Sequence, residues 1–142
     1  MARPLLAACL GFTAVLISGC SYGYTLKAEM RDGHVYFVVE PAPHKPPPGG
    51  CLDDFTVKAP TGEVMWAWKA DSYIRPPCRS DLPLAYGVIP AGRRELTKAK
   101  PLKLGVVYSV VGWAGDAYSG SFRLKQAIVV DNFTPPSAAK AP

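Results

Sequence analysis

Apolar and polar residues alternate along most of the chain with the period of two that marks half-buried strands. Residues 22–30 (YGYTLKAEM) put Tyr24, Leu26 and Ala28 on one face and Thr25, Lys27 and Glu29 on the other. Residues 34–40 (HVYFVVE) are β-branched and aromatic, as in a strand buried on both faces. Asp32-Gly33 between them is a tight hairpin signal. Residues 53–59 turn Phe55 and Val57 inward. Residues 63–69 place Val64, Trp66 and Trp68 on one face and Met65 and Ala67 on the other, with Pro60 and Gly62 making the turn. A short strand is predicted over 84–89 and longer ones over 102–113 and 118–130, separated by turn residues around Gly115 and Gly120.

The intervening segments are of a different kind. Residues 41–50 (PAPHKPPPGG) read as a stiff, extended, exposed loop. Residues 70–82 form a loop holding Cys78, and residues 90–101 (PAGRRELTKAKP) are polar and basic. Residues 132–142 read as a flexible C-terminal tail. With 15 Pro and 13 Gly in 142 residues, helices are disfavoured, while a 49% apolar composition supports one packed core. About seven strands at short spacing and no convincing helix predict an all-β fold.

Residues 102–110 (LKLGVVYSV) sharpen that expectation. Leu102, Gly105 and Tyr108 resemble the tyrosine-corner stretch of fibronectin type III and immunoglobulin-like domains, although Leu104 stands where those domains often carry proline. The resemblance implies a single immunoglobulin-like β-sandwich of about seven antiparallel strands, with the Tyr108 hydroxyl bonding back to nearby backbone. The competing reading is a buried strand that happens to contain a tyrosine.

The amino-terminal segment has its own logic. A charged start (Met1-Ala2-Arg3-Pro4) precedes an apolar run over 5–16, too short for the roughly 20 residues a bilayer span needs. Ile17-Ser18-Gly19-Cys20 follows. This arrangement resembles a bacterial lipoprotein signal with its lipobox. The resemblance implies cleavage before Cys20, a diacylglycerol thioether on that thiol, and acylation of the new amino terminus. Two or three acyl chains, at about 0.8 kcal/mol per buried CH₂, hold a domain on a membrane stably. Residues 1–19 would then be the signal peptide and 20–131 the β-sandwich domain. Ser21, which is not aspartate, points to the outer membrane facing the periplasm. The competing reading is an ordinary secretory signal with a coincidental cysteine.

Cys9 would leave with the signal and Cys20 would be lipidated, so Cys51 and Cys78 remain as one pair in an oxidising compartment. A disulfide between them closes a loop of about 28 residues, worth roughly 3.5 kcal/mol in the chain-entropy model. A zinc site is the alternative, but the spacing is not CxxC and nothing ties His34 or His44 to the cysteines.

The chain has no GxSxG, P-loop, HExxH or GxGxxG motif. His34 lies near Asp32 but lacks an assignable nucleophile, and His44 falls in the proline-rich loop. Asp53 and Asp54 are adjacent, and strand alternation would point them to opposite faces. Trp113 could line a ligand groove, whereas core packing accounts for Trp66 and Trp68. Tyr73 is a candidate exposed contact.

The net charge is +5, and loss of Arg3 with the signal leaves 15 basic against 11 acidic residues. That excess suits an anionic lipid or glycan and does not demand nucleic acid. Arg93, Arg94, Lys98, Lys100 and Lys103 are the candidate basic patch, for lipid headgroups or an acidic partner, or else a solvated loop. No cofactor and no metal is expected. The expectation is a non-enzymatic binding or scaffold module, lipid-anchored in the bacterial envelope. The alternative is an inhibitor of an envelope-directed hydrolase such as lysozyme, with the 41–50 loop as its plug.

Overall fold

The computed structural model describes residues 23–41, 50–71, 78, 80–126 and 129–133. The expectations for the signal segment, Cys20, His44, Tyr73, residues 42–49 and residues 134–142 lie outside them. Among the described residues there are strands and no helix, so the all-β expectation holds.

Among the described residues nine strands form, where about seven were expected. They are β1 (Gly23–Arg31), β2 (His34–Val39), β3 (Asp54–Lys58), β4 (Val64–Ala70), β5 (Leu84–Ala85), β6 (Arg93–Thr97), β7 (Val107–Trp113), β8 (Ala117–Gln126) and β9 (Val129–Phe133). Their spatial order is β5-β2-β1-β8-β7-β3-β4-β6, with β9 also paired to β8. The pairing is mixed rather than wholly antiparallel, because β1 and β8 run parallel over Gly23–Thr25 and Ala117–Ser119.

Two corrections to the strand reading have physical causes. The predicted 118–130 strand is two strands, β8 and β9, folded back on each other. No Gly, Pro, Asn or Asp marks the reversal in the sequence. The start of the expected tail, Asn132 and Phe133, therefore lies in a ladder. Asp131 of β9 is gripped by Lys125 at 2.9 Å and Arg123 at 3.1 Å. Their hydrogen bonds hold its carboxyl below the ordinary carboxylate range, so this contribution is present above that range and fades as pH falls. The second omission is β6, from the segment read as polar loop.

The sheet curls on itself around one core. Phe37 on β2 meets Phe55 on β3 and Phe122 on β8, with ring centroids 5.2 and 5.4 Å apart. Phe55 in turn stacks on Trp68 at 5.9 Å and meets Trp66 edge-on at 5.6 Å. Trp66 and Trp68 are fully buried, and Met65 and Ala67 are buried as well, so β4 is covered on both sides. The Tyr86 hydroxyl donates to the Lys100 carbonyl at 2.7 Å and holds the segment after β6 against Trp66. Burial pushes the Tyr86 phenol up to about 12, so it stays a donor across the physiological range.

β1 changes partner midway. It pairs with β8 through Thr25 and with β2 from Leu26 onward. Where it leaves β8, the Leu26 carbonyl rests directly on Gly120, in the space a Cβ would occupy. Further along, the Asn132 side chain accepts from Ala28 N–H at 2.7 Å and donates to its carbonyl at 2.9 Å. The carboxamide thus does for β1 what a neighbouring strand would. Gly120→Ala is expected to cost about 1–3 kcal/mol through overpacking against backbone that cannot give way. Urea unfolding measures this; an unchanged midpoint would mean that β1 is free to shift.

The turn signals at Gly33, Gly62 and Gly115 hold, whereas Gly120, also read as turn, lies within β8 opposite Val110. Asp32 and Gly33 have φ of 49° and 77°, the left-handed pair that a two-residue β1–β2 turn requires. Cys51 and Cys78 form a disulfide, with Cα atoms 6.0 Å apart.

Candidate functional site

Alternation fixes two faces on the β8–β7–β3–β4–β6 side of the molecule. On β7, Tyr108, Val110 and Gly112 point inward, while Val107, Ser109, Val111 and Trp113 point outward. On β3, Phe55 and Val57 are buried, and Asp54 and Thr56 face out. Cross-strand register then aligns one outer row: Trp113 beside Asp54, Asp54 beside Lys69, and Lys69 beside Arg94. Neighbouring strands lie about 4.8 Å apart, so this row runs roughly 14 Å across the sheet. Arg94 is paired with Asp71 at 3.2 Å at the end of the row.

The row floors an open groove of about 700 Å³, with Leu96 and Thr56 completing its wall. Trp113 is 44% exposed and Leu96 53%, in contrast to the fully buried Trp66 and Trp68. The indoles expected in the core are there; Trp68 backs the groove from within, and the exposed Trp113 lines it.

Asp53 and Asp54 both border this groove, where strand alternation was expected to send them to opposite faces. Asp53 sits in a bend ahead of β3, outside the pleat, so strand alternation does not govern it. Its N–H donates to the Trp113 carbonyl at 2.6 Å, and its carbonyl accepts from Ala70 N–H at 2.6 Å. Partial burial, and then the neighbouring Asp53 charge, raise the Asp54 pKa.

An acid whose folded pKa is raised weakens the fold once it ionises. The penalty is fully present above the raised value and gone below the ordinary carboxylate range. Asp54→Asn is therefore expected to raise the melting temperature at about pH 7 and leave it unchanged near pH 3. A thermal series across pH checks this, and an equal shift at both ends would remove electrostatics as the cause.

A buried ion pair holds the approach to β3. Arg93 and Asp81 are joined at 2.9 Å with side chains only 2% and 7% exposed. Asp81 also accepts from Leu52 N–H at 2.7 Å, and Arg93 Nε donates to the Leu52 carbonyl at 3.0 Å. The pair grips Leu52 from both sides, one residue before Asp53. The Arg93 guanidinium also lies 5.7 Å from the Trp68 ring centroid.

The expected basic patch is thus divided among separate tasks. Arg93 is internal. Arg94 belongs to the groove. Lys100 pairs with Glu63 at 2.8 Å, which holds the Glu63 carboxyl below its usual range. Lys98 is exposed. Lys103, also exposed, donates its N–H to the Tyr108 hydroxyl at 2.8 Å. His34 is exposed at the start of β2. What the sequence reading missed is the row itself, because Lys69 and Arg94 meet Trp113 only through register. No family model, no curated protein and no solved structure matches this chain.

Proposed function

We propose that the chain is a lipid-anchored bacterial envelope protein, facing the periplasm from the outer membrane. Its single immunoglobulin-like β-sandwich binds a partner and performs no chemistry. The Ile17-Ser18-Gly19-Cys20 motif supports the anchor. Three features support the sandwich. Tyr108 receives the backbone N–H of Lys103, five residues upstream. β1 divides its pairing between β2 and β8. Phe37 meets Phe55 across the core.

The observation that carries the binding role is Trp113. A domain that fully buries two indoles leaves the third in the floor of a groove. Val107 and Val111 are exposed on the same outward face of β7 as Trp113, and an apolar strip of that kind marks an interaction site. The partner therefore docks on the outer face of β3, β4, β6 and β7.

Two experiments test this reading. Cys20→Ala is expected to abolish lipid on the protein and shift it from the membrane to the soluble fraction; unchanged fractionation would overturn the anchor. Capture of envelope components by the parent protein is expected to fall with Trp113→Ala. Equal capture would remove this face from the proposal.

A further inference from the structure

We infer that the Trp113 groove is a saccharide site that takes an uncharged oligosaccharide, with the indole as its stacking platform. This rests on the binding-module reading above and names the ligand class for its face.

A pyranose ring presents an apolar C–H face and a rim of hydroxyls, each of which both donates and accepts. The groove offers the complement of both. Trp113 supplies a flat apolar surface 44% open to solvent, with Leu96 adding to the apolar wall. Beside them stands an acceptor, the outward-facing carboxylate of Asp54, with Asp53 adjoining it on the groove's border. Lys69 is a donor, and the Thr56 hydroxyl can do either. At the end of the row the exposed Arg94 guanidinium is paired with Asp71 and adds further donors. A hydroxyl donating to Asp54 would stabilise its charge where burial and Asp53 oppose it.

Charge decides which saccharide. The groove carries three carboxylates (Asp53, Asp54 and Asp71) against two cations (Lys69 and Arg94). A groove of net negative charge, on a chain of net charge +5, disfavours uronate or phosphorylated sugars. Size agrees as well. About 700 Å³ lies within the range of small-ligand sites, and a row of roughly 14 Å suits a short chain laid across the strands.

The test uses the full chain in a detergent whose head group is not a sugar. Because Trp66 and Trp68 are buried, acrylamide quenching of tryptophan fluorescence reports chiefly on Trp113. The probes are the N-acetylglucosamine tetramer and cellotetraose, with an oligogalacturonate as the anionic comparison. Saturable protection of Trp113 by at least one neutral tetramer is expected, with weaker binding of the anionic one. In calorimetry, Trp113→Ala is expected to weaken that binding by about tenfold or more, and Trp113→Phe by less. Asp54→Asn should weaken it a few-fold, and all three variants should keep the parental melting profile to within a few degrees. No protection by either neutral tetramer at millimolar concentration would overturn the inference. So would equal affinity in Trp113→Ala, or preference for the anionic oligomer. If Trp113→Ala abolishes capture of an envelope protein while no saccharide binds, the ligand class falls and the binding face stands. If Trp113→Ala changes neither, both fall.

Discussion

Arg93→Ala is expected to lower the unfolding free energy by about 3–5 kcal/mol, because it leaves the Asp81 carboxylate buried without its counter-charge. The side chains are 2% and 7% exposed, so water cannot easily replace the lost partner. The deletion also removes the donor to the Leu52 carbonyl. Asp81→Ala should cost a similar amount, since it strands the guanidinium and the Leu52 N–H together. The double variant should cost less than the two single losses combined, because no unpaired charge then remains. Urea unfolding of the three variants measures this cycle. A single-variant cost below about 1 kcal/mol would show the pair behaving as a solvated one. The same variants should disturb the groove, since Leu52 leads directly into Asp53.

The second large effect is expected at Phe37. Phe37→Ala should cost about 3–5 kcal/mol, the range for a large aromatic emptied from a packed core. Phe37 is fully buried and touches rings on two strands of the opposite flank, Phe55 and Phe122. Those strands are separated from β2 along the hydrogen-bonded path, so the ring closes the curl where no ladder does. Phe37→Leu, which keeps most of the volume, should cost under about 1.5 kcal/mol. Denaturant titration followed by tryptophan emission reads both, because Trp66 and Trp68 pack on Phe55. A small loss for Phe37→Ala would mean that the two flanks hold together without it.

Much of this fold is written locally. The Asp32-Gly33 turn and the phases of β1, β3 and β4 follow from turn chemistry and alternation that survive in the final packing. β6 escapes that logic because its polarity is inverted: Arg93 goes inward to Asp81, while Leu96 stays 53% exposed. A charge in a core position can be recognised only once its distant partner is known. β9 escapes because the reversal after Gln126 uses no turn-forming residue. The outward aim of Trp113 was legible in principle, since an inward Tyr108 sets every odd residue of β7 facing out. That Trp113 stands beside Asp54 and Lys69 was not, because register between strands far apart in sequence is set by the whole sheet. The Asp53–Asp54 pair misled because one member precedes the strand.

The outer row does not stop at Trp113. Ala117 pairs with Trp113 on one side and with Gly23 on the other. Three peptide steps separate Gly23 from Cys20, a leash that reaches at most roughly 10 Å. If that cysteine carries lipid, the indole rides close above the phospholipid head groups, and its catch is confined to molecules present in that thin layer.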